Sequence, residues 1–177
     1  MESSSVASSY VIRPAHPRDA GALVALAEEI VAEPEGWLVS DGGWRTVTDE
    51  RRYLRAVRRY SDAAVFVAEG EEGIVGRLSL GRDPHPASRH VADLGLMVAA
   101  AARRRGIGRA LLEQAVSWAR EVGIRKLELH VFPHNDAAIA LYEQFGFRRE
   151  GYRRAHYRRG RDFVDAILMA YDVQGAD

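Results

Sequence analysis

Arg103, Arg104 and Arg105 run directly into Gly106-Ile107-Gly108-Arg109, and an apolar-periodic segment follows. That order suits the capture of an anion. Two glycines spaced by one residue let the backbone approach a ligand closely and take angles that other residues resist. The first amides of the helix that follows have no intrahelical partner, and its dipole favours negative charge at that end. The arginines add fixed charge and forked donors suited to phosphate oxygens. The chemistry indicated is the holding of a pyrophosphate. A P-loop would need Lys and Ser or Thr after the second glycine, and Arg109-Ala110 supplies neither. A dinucleotide fingerprint would need a third small residue where Leu111 stands.

A second block lies downstream. Lys126–Phe132 alternates as a strand, Pro133-His134-Asn135 breaks it, and Asp136–Phe145 reads as a helix stopped by Gly146. Asn135 and Tyr142 are two helical turns apart on one face, roughly 10 Å along the axis. The segment Arg103–Gly108 resembles the acyl-coenzyme-A loop of the GNAT superfamily of N-acetyltransferases, Arg/Gln-x-x-Gly-x-Gly/Ala. The stretch Asn135–Phe147 resembles that superfamily's Asn-x-x-Ala-x-x-Leu-Tyr-x-x-x-Gly-Phe segment.

The resemblance implies an α/β (α+β) fold with a central mixed, mostly antiparallel, splayed sheet of six to seven strands and about four helices. It implies acetyl-CoA as cosubstrate, with no metal. The amides of Met97 and Val98 would extend a ladder to the pantetheine arm, between strands His90–Val98 and Lys126–Phe132. Arg103, Arg104, Arg105, Gly106, Ile107, Gly108 and Arg109 would hold the diphosphate. Asn135 and Ala138 would border the arm, and Tyr142 would protonate the departing thiolate.

Transfer to an amine also needs a base. Asp93 shares a strand face with Gly95 and Met97, and Gly95 leaves room beside it. In proteins resembling the phosphinothricin acetyltransferase group an acid at this strand position takes that role; Asp is shorter than Glu, which points to a water relay. His130 is a second candidate, ahead of His90 and Glu29. Residues 148–161 hold seven arginines against one acid, Glu150. This basic stretch either faces the acceptor, favouring an amine with a nearby carboxylate, or is a solvated outer strand. The expected acceptor is a small, amino-acid-like amine or a peptide, attacked directly in a ternary complex. A ribosomal-protein N-terminus and a non-catalytic acyl-CoA sensor stay open, as does a homodimer.

The elements that must position these residues read in the order β-α-α-β-β-β-α-β-α-β-β. Tyr10–Arg13 is a strand, Asp19–Ala32 and Asp49–Tyr60 are helices, and Ala63–Glu69 with Ile74–Leu80 is a hairpin turning at Glu71-Glu72-Gly73. Helix Gly106–Val122 carries the glycine run. Arg148–Tyr157 and Asp162–Val173 close the chain as a second hairpin. With 177 residues, 47% of them hydrophobic, the expected organisation is one domain over 10–173 between short tails, 1–9 disordered and 174–177. Zero formal net charge speaks against a general nucleic-acid binder, and the absence of cysteine excludes disulfides and thiol nucleophiles. No stretch resembles a signal peptide or a membrane span, so a cytoplasmic protein is expected.

Overall fold

A computed structural model describes residues 10–38 and 44–175. The expected tail at 1–9, the last two residues and part of the irregular stretch 34–43 lie outside the described residues. Seven strands form one sheet: β1 Val11–Pro14, β2 Ala63–Gly70, β3 Gly73–Arg82, β4 Val91–Val98, β5 Lys126–Val131, β6 Arg148–Arg159 and β7 Asp162–Asp172. Their spatial order is β1-β2-β3-β4-β5-β7-β6. Every pairing is antiparallel except β4 with β5, which run parallel for three residue pairs, Val91–Lys126, Ala92–Leu127 and Asp93–Glu128. Past Asp93 and Glu128 the two strands part.

Four α-helices accompany the sheet: α1 Ala20–Val31, α2 Val47–Val57, α3 Ile107–Glu121 and α4 Asp136–Phe145. α1 follows a short 3-10 turn at Pro17–Asp19, where His16 and Asp19 cap each other reciprocally. α2 begins two residues before the expected Asp49 because the Thr46 hydroxyl accepts from the Asp49 amide. It ends at Val57 rather than Tyr60. α4 has the expected bounds, with Asn135 as its N-cap and Gly146 at φ 120° after its last turn.

Strand alternation divides the core between two faces. Val65 and Val67 of β2 pack with Leu23 of α1 and Leu54 of α2. Their neighbours Phe66, Leu78, Leu80 and Leu94 pack with Leu111, Leu112 and Ala115 of α3. Burial of these side chains is the main favourable term, roughly 25 cal/mol for each Å² of apolar surface withdrawn from water. α4 sits beside β5, where Ile139 and Tyr142 join Leu129 and Val131. The gap between β4 and β5 therefore opens between helix pairs on opposite sides of the sheet.

Candidate active site

A cavity of about 880 Å³ occupies that gap. It is lined by both faces of β4, from Asp93 to Val98, and by Leu129–Phe132 of and after β5. A slot lined by both faces of a strand passes through the plane of the sheet. On the α3–α4 side it reaches Gly106, Gly108, Arg109, Asn135, Ala138 and Tyr142. On the α1–α2 side it reaches Trp37, Leu38, Trp44, Arg77 and Ser79, with Asp93, His130 and Tyr157 at the fork.

The phosphate end is built from backbone. Gly106 precedes α3 at φ 80° and Arg104 takes φ 59°, so the loop turns twice through the left-handed region. No side chain caps α3 and no acid lies in its first turn, which leaves the first amides and their dipole to an anion. These features fit a diphosphate. Gly108 has a further reason to be glycine: a Cβ there would lie 2.8 Å from Leu141 Cδ2, so α3 and α4 approach each other over it.

The expected residues do not all do what the sequence suggested. Arg103 and Arg104 line the cavity, but the Arg103 guanidinium grips Glu33 through two bonds, 2.7 and 2.6 Å, while its Nε donates to the Val98 carbonyl at 3.0 Å. It is therefore a tie between the loop and the segment after α1. Glu33 also accepts from Trp37 Nε1 at 2.7 Å, and the Arg103 contact foremost holds the Glu33 carboxyl below its ordinary pKa. Trp37 stacks on His134, which stacks on Phe132, so this segment is fastened over the slot. Arg105 does not line the cavity, and the Ile107 side chain is buried in the core, leaving its amide for the ligand. Arg109 lines the cavity and donates to Glu113. Asn135 spends its side-chain oxygen on the Ala138 amide, at 3.2 Å, which leaves its NH2 group for an arm in the slot.

Tyr142 is 7% exposed, its ring against Phe147 and its edge in the cavity. Burial pushes its phenol well above the ordinary value, so it stays protonated over the whole working range. Across the slot, Asp93 presents its carboxyl to the cavity. Surrounding protein withdraws bulk water from it, and this desolvation raises its pKa, with Glu128 and Asp83 adding and Arg153 opposing. Nearby, His130 Nδ1 shares a short hydrogen bond with the Tyr157 hydroxyl, and His156 meets the His130 ring edge-on. Burial first, then Arg153 and His156, hold the His130 pKa below its ordinary value.

Of the basic stretch 148–161, only Tyr157 lines the cavity. β6 is the outer strand, and Arg149 is engaged by Glu143. The arginines as a group thus form an outer edge, although the charge of Arg153 is felt at Asp93 and His130. Sequence reasoning missed Arg77, Ser79 and Glu50. Glu50 is fully buried and lies between Arg77 (3.2 Å) and Arg45 (2.9 Å). The signal was legible: an arginine in a central strand must find a buried partner, and Glu50 begins an otherwise basic helix stretch.

A family model described as the acetyltransferase (GNAT) family matches residues 23–147. The chain is similar to L-amino acid N-acetyltransferase AaaT of Escherichia coli (strain K12), 30% identical over 174 residues that cover 92% of this chain and 98% of that one. It is 37% identical over 160 residues to N-alpha-acetyltransferase RimI of Mycobacterium tuberculosis, covering 88% and 93% of the two chains. A crystal structure of an acetyltransferase of GNAT family from Streptococcus pneumoniae superposes with a TM-score of 0.83 at 30% identity, covering 93% of this chain and 99% of that one.

Proposed function

The chain belongs to the acetyltransferase (GNAT) family and is an N-acetyltransferase that uses acetyl-CoA, and on that premise we propose that its acceptor is the amine of a free, amino-acid-like small molecule. The observation that carries this reading is the slot through the sheet, with a phosphate-suited loop on one side and, on the other, a lobe lined by Trp37, Trp44, Arg77 and Ser79.

Acetyl-CoA supplies an activated acyl group, whose thioester carbon is the electrophile and whose sulfur departs. The loop Arg104–Arg109 and the opening amides of α3 hold the diphosphate, and β4 from Leu96 to Val98 lines the path to the fork, with the Val98 amide on the edge turned toward the gap. Asp93 takes one proton from the acceptor ammonium, directly or through a water. The neutral nitrogen then bonds to the thioester carbon as the carbon–sulfur bond breaks, and the second proton that this nitrogen must shed to become an amide leaves through water, which also returns a proton to Tyr142 after transfer. Tyr142, on the opposite side of the sheet, gives its proton to the sulfur. Base and acid on opposite faces of one slot support direct attack in a ternary complex, since neither reactant need leave for the other to enter.

A panel of free amino acids, their amides, simple alkylamines and a peptide with the ribosomal-protein N-terminus tests the reading, with released thiol followed by colour and products by mass spectrometry. Free amino acids are expected to give the highest kcat/KM. Turnover of the peptide alone would replace this reading with protein N-terminal acetylation, and coenzyme A binding without turnover of any amine would leave a sensor.

A further inference from the structure

The lobe on the α1–α2 side contains a buried arginine whose hydrogen-bonding capacity is only partly used. Arg45 and Arg77 both pair with the single buried carboxylate of Glu50. Arg77 is 4% exposed, lines the cavity, and donates to Glu50 through one Nη; its Nε is buried with no hydrogen-bond partner among the described residues. The indole Nε1 of Trp44, in the same lobe, is likewise buried and unpartnered among the described residues. The Arg77 guanidinium carbon lies 5.2 Å from the Trp44 ring centroid. Leaving a buried donor unmade is costly, and two of them side by side, both donor-only groups, call for an acceptor.

We propose that Arg77, backed by Glu50 and flanked by Trp44, is the receptor for the acceptor's carboxylate and so sets the specificity of the enzyme for free α-amino acids. This rests on the amino-acid reading above and names the residue that would enforce it. Register supports the placement. Arg77 and Ser79 lie opposite Met97 and Gly95, on the sheet face that carries Asp93. Arg77 is thus four strand positions from the base, about 13 Å between Cα atoms, and both side chains border the same cavity. Gly95 and Ser79 lie between them and fit closely, since a Cβ on Gly95 would come 3.0 Å from the Ser79 hydroxyl. A peptide N-terminus carries an amide where the free acid carries its charge, so the same receptor discriminates against it.

The test compares L-leucine and L-phenylalanine with their amides on the full chain. Wild type should favour each acid over its amide by about tenfold or more in kcat/KM. R77K keeps the charge and loses the fork; it should raise KM for the acids by about tenfold with little change in kcat, and leave the amides nearly unaffected. Because an unpaired Glu50 could unfold the chain, the double variant R77M/E50Q, which removes both charges together, is measured alongside with its Tm and its coenzyme A affinity. It should fold, bind coenzyme A as wild type does, and show no preference between acid and amide. Acid–amide preference surviving in either folded variant overturns the inference while the amino-acid reading stands. Wild type that turns over no free amino acid overturns both.

Discussion

Replacing Asp93 with Asn keeps the size of the side chain and removes its ability to accept a proton, and the surroundings of this residue set what should follow. Desolvation, Glu128 and Asp83 raise its pKa above the ordinary carboxylate value of about 3.9, while burial, Arg153 and His156 lower that of His130 beneath its ordinary value of about 6.5. The two candidate bases therefore approach one another from opposite sides. Either must be unprotonated to act, so kcat/KM rises with pH through one limb whichever is the base, above the ordinary carboxylate range for Asp93 or below the ordinary imidazole range for His130. The pH profile of the parent enzyme cannot separate them, but the variants can. D93N should lower kcat by about 10² to 10⁴ and abolish the limb, whereas H130Q should keep the limb and lose under about tenfold. Stability supplies an independent sign. A carboxylic acid whose pKa is raised on folding binds its proton more tightly folded than unfolded, so its contribution to stability falls as pH rises through the window. D93N removes that cost, and its Tm at pH 7 should equal or exceed the parent's, with the difference closing as pH falls below the ordinary carboxylate range. Steady-state and single-turnover thiol release across pH, beside thermal melts, measure both effects. A limb that survives in D93N and disappears in H130Q would transfer the role to His130.

Y142F keeps the ring against Phe147 and removes the hydroxyl; kcat should fall by about 10² to 10⁴ with acetyl-CoA affinity nearly constant, and a loss under about threefold where chemistry limits the rate would mean that water protonates the thiolate. G108V places branched carbon against Leu141 and in the approach to the diphosphate, so calorimetry should show coenzyme A affinity reduced more than tenfold, about 1.4 kcal/mol, together with a packing loss of about 1–3 kcal/mol. Unchanged affinity in a folded G108V would remove the loop from the ligand.

What could be read in advance follows the range of the forces involved. α4 was legible to the residue because its punctuation is local: Asn135 caps one end and Gly146, at positive φ, stops the other. The element order and the β4–β5 fork came through hydrophobic period and motif. α2 was displaced because the Thr46–Asp49 cap was passed over in favour of the apolar spacing. Arg103 shows the limit of local reading, since its partner Glu33 is 70 residues away and nothing in the loop foretells it. The arginines of β6 left two readings open for a related reason: charge density along a strand says nothing of which side faces a site, and the place of β6 as outermost strand selects the solvated one. Arg77 sits in a pattern that, taken alone, resembles an ordinary alternating strand, and only the centrality of β3 turns it into a buried charge.

The ion pairs around the fork explain why Asp93 is suited to proton transfer and its neighbour is not. Glu128 stands directly opposite on β5, one parallel step before the strands part, and Lys126 Nζ holds it at 2.8 Å. Glu33 is held by Arg103, Glu50 by Arg45 and Arg77, and Asp62 by Arg82 and Arg89. Among the described residues Asp93 has no such partner; Arg153 acts on it only at a distance. For Glu33 and Asp62 the guanidinium partner lowers the proton affinity of the carboxylate, which makes each a weaker base. Asp93, partly covered and beside like charges, gains affinity for a proton instead, as the proposed base requires. The proposed division of labour rests on this difference: Lys126 of β5 pairs with Glu128 on its own strand, and Asp93 of β4 has no such pair among the described residues, with Gly95 beside it.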